Sequence, residues 1–491
     1  MYIQTTAIKG VYDIMSQLSA LEPAGVWRLF DLICSTPHPS RYEELLAAKL
    51  TEEAEKGGLT VSRDDFGNMR IEREASSGME EKPAFLLQAH LDMVPQKAPG
   101  FAFDFKKDPL PVVVEGNRVH CQNKTTLGAD DGIGVALALD LLLDKEFKSG
   151  PLAAVFTREE EVGLNGARAL APEFLKGDYL INLDSSEDFI CAGCAGGVET
   201  YGTFVPQYEN APSGNAFILT VEGLTGGHSG EEIHKKRGNA HKFMAGLLSR
   251  LGDRCRVASL VGGSVVNAIS RESAALIVTP LPEEELQSLA HTFAEELRPS
   301  FLPGKEFGFA VKEAPTPEKV WKKAFQDTLL GVIKALPDGV LEYSPQLNAT
   351  KWSCNLGVIR EEENGELTLG LHPRSFDDAQ WRKLSKDICT IVEKAGGRAK
   401  ELTPYPGWKY DPDCPLIPVA QKVYKELTGK TLTVTAIHAG LETGLFSEKN
   451  PALKLLAIGA AYHKLHTTEE YLNVDSVAVT AAWLRKIIAA F

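Results

Sequence analysis

Residues 84–94 read AFLLQAHLDMV, an apolar run of strand length that ends in His90 and Asp92. Residues 131–144, DGIGVALALDLLLD, are apolar almost all round, the pattern of a buried helix. LAAVFT at 152–157 and YLINLD at 179–184 are again apolar and of strand length. Strands alternating with helices predict an α/β domain: a mixed, mostly parallel sheet with helices on both faces. Working outward, residues up to about 195 keep this alternation, and the last ninety or so return to it. There a helix at 415–427 precedes KLLAIGA at 454–460, and residues 474–491 close the chain as a helix.

The middle differs. FILTVEGL at 217–224 and ALIVTP at 275–280 have strand character, whereas 239–252, 282–301, 318–336 and 377–396 have helical periodicity. This predicts an α+β domain, built from two related halves, inserted into the first domain. The expected division is 1–196 with 402–491 for the outer domain and 197–401 for the inserted one.

Composition narrows the function. A chain of 491 residues suggests three domains or fewer, and 44% hydrophobic with 24% charged residues is ordinary globular material. A net charge of −14 argues against nucleic-acid and anionic-membrane partners, both of which need a basic face. No apolar run reaches the ~18–20 residues of a membrane span. The N-terminal MYIQTTAIKGVYDIMSQ lacks the apolar core of a leader peptide. Eight scattered cysteines fit a reducing compartment, and the expected location is the cytoplasm. The glycosylation patterns at Asn123 and Asn348 are read as chance.

Sites in open α/β sheets form beyond the carboxyl ends of the strands. His90 and Asp92 end the first run, Asp130 and Asp131 open the helix, and Glu159, Glu160 and Glu161 follow LAAVFT. Asp184 ends YLINLD, and His466 follows KLLAIGA by a few residues. Each piece alone has a bland explanation: a His-x-Asp pair in a core, an acidic triplet on a solvated face, an Asp at a helix N-cap. Together they deliver imidazole and carboxylate to one rim, the donor chemistry of zinc and its neighbours. Two ions ~3.5–4 Å apart need a bridging carboxylate. His90, Asp130 and Asp184 can surround one ion; Asp130, Glu161 and His466 can surround the other. Asp92 is placed to orient His90, and Glu160 remains to work on water.

These segments resemble the zinc-dependent aminoacylase/carboxypeptidase superfamily: His90-Leu-Asp92, Gly128-Ala-Asp130-Asp131-Gly132, Thr157-Arg-Glu-Glu160-Glu161-Val-Gly163 and Asn182-Leu-Asp184. Others narrow the resemblance to its Xaa-His dipeptidase branch: Gly193-Cys-Ala-Gly-Gly197, Gly226-Gly-His228-Ser-Gly230 with Ile233-His, Val266-Asn267, Asn355-Leu-Gly-Val358, Arg374-Ser, Tyr405-Pro-Gly-Trp408 and Ile437-His-Ala-Gly440-Leu-Glu442. The resemblance runs in order along nearly the whole chain. It implies a di-metal catalytic domain with an inserted lid, two divalent ions (zinc, with cobalt or manganese also compatible), and hydrolysis of unblocked dipeptides. It implies Glu161 as ligand, Glu160 as general base and Glu159 facing away. It also implies that His228 polarises the scissile carbonyl, that Arg374 meets the substrate carboxylate, and that Asn267 and Gly440 lie with the substrate. A homodimer through the lid is compatible with it. The alternative within the superfamily is an N-acyl-amino-acid deacylase or a tripeptidase.

The chain departs from the branch at Thr443, where cysteine is usual, at Thr467-Thr-Glu-Glu470 after His466, and at Tyr462-His463-Lys464. Three motifs are set aside. GGHSG is no serine-hydrolase elbow, since Glu231 stands two after Ser229. Cys191 and Cys194 have no second pair and read as small buried residues. Gly128, Gly132 and Gly134 make neither a dinucleotide fingerprint nor a P-loop.

Overall fold

The computed structural model describes residues 17–186, 188–301 and 307–491. Most of the stretch read for a leader lies outside the described residues. The chain divides into two compact units. The first comprises residues up to Gly193 with Tyr410–Thr435 and Leu441–Phe491; the second comprises Cys194–Lys409 and Ala436–Gly440. The segment 402–409, expected with the outer domain, therefore lies with the second unit, and so does the short return at Ala436–Gly440.

The first unit is built on an eight-stranded sheet. Its order is Thr60–Arg63, Met69–Arg73, Leu152–Thr157, Phe85–His90, Tyr179–Asn182, Lys454–Ala457, Phe189–Cys194 and Thr433–Ile437. The central strands are parallel, as their unbroken apolar runs require: Phe85–His90 and Leu152–Thr157 are buried at every position. In the register His90 stands opposite Thr157, and Gln88 opposite Asn182. The carboxyl ends of three parallel strands are therefore level, and the loops that leave them share a rim.

The helix Ala129–Leu143 is buried along most of its length. Gly132 lets it approach the helix Ala24–Cys34, because a Cβ there would stand 3.2 Å from Ile33 and 3.4 Å from Phe30. The late segment reaches the rim through a small sheet, in which Tyr462–His463, Tyr471–Asn473, Arg118–His120 and Val113–Glu115 are neighbours. His466 sits in the loop between its first two strands.

The second unit carries two main antiparallel sheets. One orders Arg256–Val261, Ser273–Thr279, Asn215–Glu222 and Gly308–Glu313. The other orders Gly339–Ser344, Ala349–Glu361, Leu367–Ser375, Gly196–Phe204 and Arg398–Tyr405. The second sheet has no counterpart in the sequence reading. Leu367–Ser375 is buried at all nine positions, so it shows no alternation. The helix expected over 318–336 begins only at Lys323, because Lys319–Trp321 pairs as a strand with Tyr208–Asn210. Among the described residues no helix is long and apolar enough to cross a membrane.

Candidate functional site

Seven of the expected residues meet at the rim of the first unit. Asp130 is the centre. Its Oδ1 lies 3.0 Å from His90 Nε2, and its Oδ2 lies 3.3 Å from His466 Nε2. Asp184 Oδ2 is 3.9 Å from His90 Nε2, and Glu161 Oε1 is 2.8 Å from His466 Nε2. Donor atoms of His90, Asp130 and Asp184 all lie within 4.8 Å of one another, and so do those of Asp130, Glu161 and His466. Glu160 also falls within that reach, with His90 and Glu161.

This donor set fits two divalent cations that share one carboxylate, each with a histidine and a further carboxylate. Crowded together, the same groups shift one another's titration. Hydrogen bonds donated to Asp130 and then to Glu161 push the His466 imidazole up to about 10. Burial alone would lower His90, yet Asp130, Asp92 and Asp184 raise it well above its usual range. Burial and the Asp130 charge push Asp184 up to about 7. Burial also drives Glu160 well above the usual carboxyl range; His90 opposes this, while Asp184, Glu161 and Glu442 add to it.

The surrounding polar groups hold these side chains in place. His90 Nδ1 is 2.9 Å from the backbone carbonyl of Asp92 and 3.5 Å from its carboxylate. The Asp92 carboxylate is instead engaged by Ser40 Oγ at 2.8 Å and by the backbone N–H groups of Glu160 at 2.9 Å and Glu161 at 3.3 Å. Asp92 thus orients His90 mainly through its main chain and braces the glutamate turn with its side chain. Glu159 turns away: it has a φ of +53°, and its carboxylate accepts from Asn165 Nδ2 at 3.0 Å. Tyr462 donates to Asp184 at 2.9 Å. Glu470 accepts from the N–H groups of Leu127, Gly128 and Ala129 at 2.8, 3.3 and 2.9 Å, which fixes the loop leading into Asp130.

Beneath the rim, Gln88 Nε2 and Thr157 Oγ1 donate to one oxygen of buried Glu442, at 2.6 and 2.8 Å, while Asn182 donates to Gln88 at 2.6 Å. Burial pushes Glu442 up to about 7. Ser40, Gln88, Glu442, Tyr462 and Glu470 were not among the site residues expected from sequence. Gln88, Glu442, Tyr462 and Glu470 stood in quoted segments, but nothing local says what they bind.

The second unit holds the remaining expected residues. Arg374 is buried, its Nη1 donating to Tyr405 Oη at 2.7 Å and its Nη2 standing 3.4 Å from His372 Nδ1. Three histidines are kept neutral near it. Burial and the arginine's charge lower His228, take His372 well below its usual range, and bring His438 down to about 3. His438 Nε2 pairs with Ser353 Oγ at 2.7 Å. Gly227–His228 pairs with Ala268–Ile269, and Asn355 Nδ2 supports that strand by donating to the carbonyls of Val266 and Ala268 at 2.7 and 2.8 Å. Asn267 contributes its carbonyl, which accepts from Ser229 N at 2.7 Å; its side chain is exposed. Gly440 packs against the Tyr405 ring, where a Cβ would stand at 2.9 Å.

Residues 86–490 match the family model described as peptidase family M20/M25/M40. The chain belongs to this family. The cytosol non-specific dipeptidase of Escherichia coli is 36% identical over 471 residues, which cover 94% of this chain and 96% of that protein. The crystal structure of aminoacylhistidine dipeptidase from Vibrio alginolyticus superposes with a TM-score of 0.90 at 35% identity, covering 96% of this chain and 98% of that one. A tripeptidase from Staphylococcus aureus aligns with a TM-score of 0.54 at 18% identity, covering 96% and 98%. At that identity the likeness shows the shared α/β fold and nothing more.

Proposed function

We propose that this M20 chain is a metal-dependent dipeptidase that hydrolyses unblocked dipeptides, those with C-terminal histidine among them. One observation carries the proposal: the two oxygens of Asp130 face two different histidines, with Glu160 beside them. The two full-length dipeptidase relatives support the substrate class.

His90, Asp130 and Asp184 would hold one ion, and Asp130, Glu161 and His466 the other; zinc suits these donors, and cobalt or manganese can replace it. The ions supply a lowered water pKa and Lewis-acid stabilisation of the oxyanion. Glu160 takes the proton of the attacking water and returns it to the leaving amine, general base and then general acid. Burial raises its carboxyl above the usual range, which favours its holding a proton. Asp92 holds Glu160 and Glu161 in register through their backbone N–H groups. In the second unit, acting as a lid, Arg374 binds the C-terminal carboxylate as a guanidinium fork, and neutral His228 donates toward the scissile carbonyl. Asn267 and Gly440 line the same substrate site. A cytosolic location follows the Escherichia coli relative, and a homodimer through the second unit follows the family resemblance.

The test is a panel of alanyl-histidine, N-acetyl-alanyl-histidine and a tripeptide, each with and without chelator. We expect the free dipeptide to be cut fastest and only in metal-replete protein. Faster cleavage of the acetylated compound would make the chain a deacylase, and faster cleavage of the tripeptide a tripeptidase.

A further inference from the structure

Gly197 lies in the strand Gly196–Phe204 and is paired with Arg374 on one side and Tyr405 on the other. A Cβ at this position would come within 2.8 Å of both the Pro373 carbonyl oxygen and the Tyr405 hydroxyl. Glycine leaves that space empty, so the arginine and tyrosine side chains meet across the intervening strand. Gly440 performs the same service on the ring, where a Cβ would stand 2.9 Å away. His372, two residues before Arg374 and on the same face of its strand, completes a three-membered ring of contacts: Arg374 to Tyr405 at 2.7 Å, His372 Nε2 to Tyr405 at 3.1 Å, and Arg374 to His372 Nδ1 at 3.4 Å.

Counting protons around this ring leaves one over. A guanidinium has donors and no acceptor, so Arg374 donates to both Tyr405 Oη and His372 Nδ1. A neutral imidazole that accepts at Nδ1 carries its proton on Nε2, and that proton points to Tyr405 Oη. The tyrosine oxygen therefore accepts twice, and its own O–H has no acceptor in the ring. The reverse arrangement, with Tyr405 donating to His372 Nε2, would set an Nδ1–H against the Arg374 N–H. Among the described residues no other acceptor is hydrogen-bonded to this hydroxyl.

We propose that the Tyr405 hydroxyl is a second donor to the anion that Arg374 holds, so that the two residues together clamp the C-terminal carboxylate of the dipeptide. The inference rests on the assignment of Arg374 to that carboxylate. An ionised acceptor makes the O–H···O⁻ bond short and strong. Glycine at 197 and 440 also leaves the Tyr405 hydroxyl and ring unobstructed.

The test uses the full-length metal-replete enzyme, with alanyl-histidine and its C-terminal amide as substrates. Tyr405→Phe removes one oxygen and leaves the ring between its glycines. We expect KM for the acid to rise about tenfold with kcat unchanged, since the lost contact holds ground state and transition state alike. For the amide, kcat/KM should change by less than about twofold. In an Arg374→Ala background the tyrosine substitution should still lower kcat/KM for the acid. An unchanged KM, or equal losses for acid and amide, overturns the clamp. An effect that vanishes in the Arg374→Ala background also overturns it, because Tyr405 would then act only by positioning the arginine. If Arg374→Ala itself leaves the KM of the acid unchanged, the assignment of Arg374 fails first.

Discussion

The three adjacent glutamates have three different surroundings, and on the proposed mechanism these set three different roles. Glu159 is turned out by its positive φ and held by Asn165. Glu160 and Glu161 are anchored by Asp92, and Glu161 meets His466. Glu160→Gln should therefore keep the metal content and lose ~10²–10⁴ in kcat, the usual cost of removing a general acid–base. Glu161→Gln replaces a carboxylate ligand with a neutral oxygen and should weaken metal retention. Glu159→Gln should leave both within about twofold, since its contacts are structural. Metal analysis and kcat on the three variants side by side check this; near-normal turnover of Glu160→Gln with a dead Glu159→Gln would place the base one residue earlier.

At the scale of elements, the metal-binding rim depends on a loop brought to the sheet from far along the chain. Glu470 gathers three backbone N–H groups just before Asp130, and burial pushes its carboxyl up to about 7. Glu470→Ala leaves those donors buried without a partner and should lower stability by about 2–3 kcal/mol, a buried donor left unpaired costing ~1–3. Thermal melts of the metal-free protein measure it. A loss of metal affinity should accompany the loss of stability, because the loop places Asp130, which the proposal assigns to both ions. A melt indistinguishable from wild type would mean that the loop is held by its other contacts. Thr467-Thr-Glu-Glu470, a departure from the related branch in sequence, thus supplies a structural anchor beside the centre.

For the whole molecule, the metals and the fold are linked. Saturation at a hundredfold excess over Kd should add about 2.7 kcal/mol, so chelation should lower Tm and abolish turnover together. We expect about two divalent ions per chain, the number that one bridging and two terminal ligand sets can hold. The sign of the pH dependence follows from His466, raised from 6.5 to about 10 by Asp130 and Glu161. In the metal-free protein this ion pair stabilises the fold fully below about pH 6.5, and the contribution is lost as pH rises through about 10. Metal binding requires the neutral imidazole, so at pH 7 it must displace that proton, and affinity should rise with pH. Calorimetry in buffers of different ionisation enthalpy reads the released protons. No release at pH 7 would contradict the close approach of His466 to its two carboxylates.

Local pattern along the chain was enough for the α/β class and most of the acidic rim. Strands buried on both faces must be unbroken apolar runs, and in a parallel sheet the polar residues that end them fall on one edge. His90, Glu160, Glu161 and Asp184 were legible for that reason, each standing near the end of a run, and Asp130 by its place at the start of the helix. His466 was legible by its nearness to one, although a separate small sheet delivers it. The five-stranded sheet of the second unit was not legible, because Leu367–Ser375 is buried throughout and carries no period. The partners of the site residues were not legible either. Glu470 caps a loop more than three hundred residues away in sequence, Glu442 sits beneath two strands from the other end of the chain, and Tyr405 meets Arg374 across Gly197. A hydrogen bond leaves no mark on residues so far apart, and a glycine says that space is needed without saying for what. These pairings belong to the folded molecule, because strand order and register, not local pattern, choose which side chains meet.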